Sequence, residues 1–133
     1  MSEHGFALNK TFVHLGLGPT AMALANFSWD RHYLAEYSRR FAADGADGRL
    51  VCITSETESW TSWERHPAGD EVVVLLSGRV DVVQDLPDGR RVVELMPGQA
   101  IINPRDVWHT SDVHEPGEAL FITPGAGTEH KDR

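Results

Sequence analysis

The stretch Trp60-Thr61-Ser62-Trp63-Glu64-Arg65-His66-Pro67-Ala68-Gly69-Asp70-Glu71-Val72-Val73-Val74-Leu75-Leu76-Ser77-Gly78 sets two carboxylates and an imidazole around one break in a β-pattern. Glu64 and His66 are two apart, so on a strand both side chains leave the same face. Pro67 follows at once; it has no N–H and a fixed φ, so the strand stops there. Residues 67–70 suffice to reverse the chain, and Glu71 then opens the next strand beside His66. Three oxygen or nitrogen donors therefore converge without any long-range event. Trp60 shares the strand parity of Glu64 and His66 and is expected to line a pocket with them. Val73, two beyond Glu71, is expected on the same lining.

The β-pattern extends on both sides of this stretch. Short apolar runs at 50–53, 59–66, 71–76, 79–84, 91–95, 99–103, 108–113 and 119–123 alternate with turn signals such as Asp88-Gly89 and Pro97-Gly98. That spacing predicts an all-β sandwich or barrel. Upstream, a short strand is expected near Thr11 to Leu15. A helix then carries Trp29, Tyr33, Tyr37 and Phe41 on one face, with Ser28 as N-cap and Arg39 and Arg40 favourably placed at its C-terminal end. The predicted organisation is one domain: 1–48 as an N-terminal arm and helix packing on the barrel, 49–124 as the barrel, and 125–133 as a flexible tail. The helix is expected to cover a sheet, with a lid over a pocket as the alternative, and His4, His14, His32 and His130 to lie on the surface.

Composition sets limits. The chain has 133 residues, enough for one core, with 41% hydrophobic and 24% charged residues. A net charge of −8 repels phosphate backbones and anionic membranes, so neither nucleic acid nor membrane is an expected partner. No apolar run approaches a membrane span, and Met1-Ser2-Glu3-His4-Gly5 lacks the basic start of a secretion signal. Cys52 is the only cysteine, which excludes an intrachain disulfide and fits a cytoplasmic location. It sits in Leu50-Val51-Cys52-Ile53 and reads as a packed core thiol. Residues 72–76 are apolar on both strand faces, so one face lines the interior and the other needs a cover. The second sheet, the N-terminal helix or a second copy can supply it, and a second copy in a two-fold dimer is the expected one.

A fourth donor has to come from elsewhere, and His109 is the best candidate, because it opens a strand run after the turn Asn103-Pro104-Arg105-Asp106. Two imidazoles with one or two carboxylates suit a single divalent Fe, Mn, Ni or Zn ion. The alternatives are an ordinary buried ion pair for Glu71 with His66, and a backbone-bonded histidine for His109.

At this point the residues resemble the cupin superfamily. Its first motif ends in His, any residue, His, three or four residues, Glu, six residues, Gly. The matching string here is Glu64-Arg65-His66, four residues, Glu71, six residues, Gly78. In the second motif Gly98, Pro104 and His109 fall in register. The resemblance implies a double-stranded β-helix (jelly-roll) barrel, often dimeric. It also implies a metal held by His66, Glu71 and His109, with Glu64 at the place of the first histidine. The sequence departs from the pattern at Glu58 and Asp106, which stand where the motifs have glycine, and at Val113, which stands where asparagine is usual. Glu64 is the departure that bears on function. It is a ligand favouring harder metals, an acid or base beside the metal, or a sign that the metal has been lost. The functions in view are a metal-dependent enzyme on a small organic molecule (dioxygenase, isomerase, lyase or cyclase), a non-catalytic small-molecule sensor, and a metal-free sugar isomerase or epimerase.

Overall fold

In the strand Glu71–Leu75 (β5), Glu71, Val73 and Leu75 are buried while Val72 and Val74 are half-buried. This is the period-two signature of a pleated strand with one face on a core. A computed structural model describes residues 4–133, and within it the same alternation recurs through a two-sheet barrel. Residues 1–3, part of the stretch read for a secretion signal, lie outside the described residues.

The strands are Phe12–Leu15 (β1), Ala21–Leu24 (β2), Arg49–Glu56 (β3), Ser62–Arg65 (β4), β5, Arg79–Leu86 (β6), Gly89–Leu95 (β7), Ala100–Asn103 (β8), Trp108–Glu115 (β9), Gly117–Thr123 (β10) and Glu129–Asp132 (β11). One sheet has the order β2-β1-β3-β10-β5-β8, the other β11-β4-β9-β6-β7. Every pairing is antiparallel. Val73, Leu75, Val80, Val82, Leu95, Ile101 and Ala119 meet between the sheets as the main core. Sheet closure hides inward side chains from water, and this burial is the main stabilising term.

Gly78 explains why the first motif ends in glycine. Its φ is +83°, and a Cβ there would run into the backbone carbonyls of Glu115 and Pro116. Asp106 occupies the second-motif glycine position with φ +64°, and its N–H donates to the His66 carbonyl (3.2 Å). The conformation is left-handed, and aspartate tolerates it better than most non-glycine residues.

Several expectations are corrected. The helix (α1) spans Arg31–Arg40, and its N-cap is Asp30, whose Oδ1 accepts from the Tyr33 N–H (2.9 Å). Ser28 instead donates to Asp30. The 3-10 segment Ala42–Asp47 follows it. Rather than merely covering a sheet, α1 supplies cavity wall through Leu34, Tyr37 and Ser38. Residues 129–132 of the expected flexible tail form β11 on the open edge of β4, since an unpaired strand edge offers N–H and C=O groups that a following segment satisfies. The expected strand over 59–66 shrinks to Ser62–Arg65; Trp60 precedes it and donates its indole N–H to Glu56 Oε2 (2.9 Å). His14 is buried, stacked on Phe41 with ring centroids 3.8 Å apart.

Candidate metal centre

Four side chains converge at one end of the barrel. Glu64 lies on β4 directly opposite His109 on β9. His66 follows β4 immediately, and Glu71 opens β5 opposite Asn103 of β8. The Pro67–Asp70 reversal is pinned from outside: Asp70 Oδ1 accepts the Arg105 N–H (2.7 Å). One ligand atom from each of Glu64, His66, Glu71 and His109 can be chosen so that all lie within 4.8 Å of one another. His66, Glu71 and His109 are at most 3% exposed, whereas the Glu64 side chain is 23% exposed and faces the cavity.

Surrounding groups orient the two imidazoles. Thr128 Oγ1 donates to the Gly125 carbonyl (2.9 Å), so it accepts from His66 Nδ1 (2.9 Å). The Val107 carbonyl can only accept, so His109 Nδ1 donates to it (3.2 Å). Both rings then carry a proton on Nδ1 and turn Nε2 inward. Neither buried Nε2 has a hydrogen-bond partner. His66 Nε2 is 2.9 Å from Glu64 Oε1 and 3.1 Å from Glu71 Oε2, but neither approach has hydrogen-bond direction. His109 Nε2 is 3.3 Å from Glu71 Oε1 and 3.9 Å from Glu64 Oε1. Both Nε2 atoms and the carboxylate oxygens thus face a common point, which calls for positive charge, supplied by a proton on His66 or by a metal ion.

The electrostatics agree. Burial lowers the His66 pKa, but Glu64 and Glu71 outweigh it and push it up to about 9, so without a metal its Nε2 holds a proton at neutral pH, which a bound ion would displace. Burial holds the His109 pKa below its ordinary value, which keeps that imidazole neutral and its lone pair free. Burial raises the Glu64 pKa, yet His66, His109 and His130 together bring it below the usual range. Burial, with Glu71 and Glu64 adding, pushes the Cys52 thiol up to about 12, so no thiolate competes. Two carboxylates balance a divalent ion, and the N/O donor set fits the metals named from the sequence.

A second layer of residues carried no signal in the sequence. Asn103 Nδ2 donates to Glu71 Oε1 (3.0 Å), and Thr123 Oγ1 donates to Oε2 (2.6 Å). Gln84 Nε2 donates in turn to Asn103 Oδ1 (2.9 Å). His130 of β11, expected on the surface, is exposed but bonds Glu64 Oε2 (2.9 Å). Glu56 is buried beside the cavity, its pKa raised by burial.

A cavity of about 620 Å³ opens from the cluster toward the N-terminal arm. Trp60 lines it from the segment before β4, not through strand parity. Val73 does not line it. Two residues beyond Glu71 on the same face is a step deeper, and Val73 sits in the main core beside a small void of about 20 Å³.

Comparison with solved structures places the fold. Oxalate decarboxylase from Lactobacillus farciminis, in a formate complex, is 15% identical over 71% of this chain and 29% of its own, with a TM-score of 0.55. Hydroquinone 1,2-dioxygenase from Sphingomonas sp. TTNP3, with 4-hydroxybenzoate bound, is 16% identical over 56% of this chain and 58% of its own, with a TM-score of 0.50. A cupin-2 domain containing protein from Shewanella frigidimarina is 20% identical over 57% of this chain and 70% of its own, with a TM-score of 0.49. The chain spans less than two thirds of the length of the first two. No protein-family model matches the sequence, and no curated protein matches it. The class that fold and site define is a two-sheet antiparallel barrel with a His/Glu cluster at one end. The chain has the cupin fold.

Proposed function

We propose that the protein binds one divalent metal ion through His66, Glu71, His109 and Glu64 and is a metal-dependent enzyme acting on a small organic molecule. The observation that carries this reading is the pair of buried, partnerless imidazole Nε2 atoms facing two carboxylates. Iron, manganese, nickel or zinc fits the donors. The bound ion would supply Lewis acidity or, for a redox metal, a site for dioxygen. Glu71 is held by Asn103 and Thr123 and acts as a fixed ligand. Glu64, the exposed member, is the acid–base candidate. Its Oε2 is bonded to His130, which reaches solvent and offers a way out for a proton. Oxalate decarboxylase and hydroquinone 1,2-dioxygenase, both by name enzymes on small organic substrates, support the substrate scale and not the reaction.

Elemental analysis of protein purified without chelator or added metal tests the site. The expected result is about one divalent ion per chain, absent from His66→Ala and His109→Ala. Wild-type protein that stays empty when offered iron, manganese, nickel and zinc would leave the metal-free isomerase reading instead. A tight small-molecule complex with metal but no turnover would favour the sensor reading. The lone buried Cys52 supports a cytoplasmic location, and the charge of −8 supports partners other than nucleic acid or anionic membrane. Among the described residues no helix is long and apolar enough to cross a membrane.

We also propose a homodimer through the outer face of the six-stranded sheet. The register aligns Val13, Val51, Ile122, Val72 and Ile102 in one row across five strands. Ile102 is 60% exposed there. A second copy is the simplest cover for such a row.

A further inference from the structure

The cavity has a second polar feature, at the end away from the metal cluster. His14 of β1 bridges Tyr37 of α1 and Asp44 of the 3-10 segment: Nδ1 is 2.6 Å from the Tyr37 hydroxyl, and Nε2 is 2.7 Å from Asp44 Oδ2. The His14 hydrogen bond, with the Leu17 N–H adding, holds the Asp44 carboxyl below its ordinary range, so it is ionised and only accepts. Nε2 therefore carries the hydrogen. In the neutral ring Nδ1 is then bare and accepts the Tyr37 proton. With its own proton committed, the Tyr37 oxygen has lone pairs left for a further donor, and Tyr37 lines the cavity.

The surroundings narrow the class of that donor. Phe27, Trp29 and Phe41 line the same end, and the Phe27 and Trp29 rings meet edge-on at 4.9 Å. Trp29 is 58% exposed, an apolar ring left in water at the cavity rim. No lysine or arginine lines the cavity among the described residues. An anionic group would find no fixed cation at this end, whereas a neutral aromatic ring would cover apolar surface and stack.

We propose that this end of the cavity holds the aromatic ring of a neutral ligand whose hydroxyl or N–H donates to the Tyr37 oxygen, with Asp44 and His14 as positioning residues. This names a substrate class for the proposed metal enzyme and rests on that reading. The ring packs against Phe27 and Trp29. A carbonyl in place of the donor meets lone pairs and is rejected. Sugar phosphates lack both the ring and a cationic partner here.

Calorimetric titration with 4-ethylphenol and ethylbenzene tests the assignment, on zinc-loaded and on chelator-stripped protein. The expected result is about tenfold tighter binding of the phenol in both states, the size of one net hydrogen bond. Tyr37→Phe should keep its affinity for ethylbenzene and lose the preference, while Trp29→Ala weakens both ligands by a similar factor. Equal affinities in the wild type, binding of neither, or a preference that survives Tyr37→Phe would overturn the proposal. A preference present only with zinc would also overturn it, since the metal would then be the anchor. The wild-type ligand pair needs no variant and decides the matter even if Tyr37→Phe does not fold. Protein that never takes up metal yet prefers the phenol would sink the metal reading and leave this one standing.

Discussion

Glu71 accepts from Asn103 on one oxygen and from Thr123 on the other, which leaves its remaining lone pairs for a cation. Asn103 is itself held by Gln84, so the carboxylate is fixed by a chain of buried amides. Asn103→Ala should weaken metal binding by about 10- to 100-fold without removing a ligand, measured by competition with a chelator of known affinity. An unchanged affinity would show that Glu71 needs no such support. Asp106 carries a different cost, that of a Cβ at positive φ. Asp106→Gly should keep or raise stability, while Asp106→Val should lower it by about 1–2 kcal/mol in urea unfolding. The two substitutions bracket one backbone conformation and leave the four-residue cluster untouched.

At the level of elements, the N-terminal arm, α1 and the 3-10 segment are joined through His14, Tyr37 and Asp44, and β1 ties this unit to β3. A carboxylate with a lowered native pKa adds stability above its unfolded value, near 3.9. That contribution is lost as pH falls through the lowered native value. Thermal unfolding of wild type and Asp44→Asn should therefore differ by a constant amount near neutral pH, and the difference should shrink below about pH 4. A gap that persists unchanged into strong acid would mean that the charge on Asp44 contributes nothing. Turn residues announced most elements in the sequence, and the eight expected strand runs correspond to β3 through β10. β2 and β11 were illegible for a common reason. Ala21–Leu24 has little burial alternation, and all of Glu129–Asp132 is exposed, so both form because they pair with a neighbouring strand.

For the whole molecule, the proposed dimer places the row from Val13 to Ile102 at the interface. Sedimentation velocity should show a dimer for wild type and a monomer for Ile102→Lys, with metal content preserved because the cluster lies between the sheets. A monomeric wild type at micromolar concentration would remove the dimer and leave the site intact.

Local chemistry made part of this protein legible from the chain alone. Strand parity put Glu64 and His66 on one face, Pro67 ended the strand, and Glu71 returned beside them, all within a span of eight residues. Tertiary structure decided whatever depends on residues distant in the chain. It set His109 opposite Glu64, brought Thr128 and His130 back from the tail, and buried His14 against Phe41. Such contacts are fixed by sheet order and closure, which no local periodicity encodes. The orientation of each imidazole, and hence the direction of its lone pair, exists only once those partners are in place.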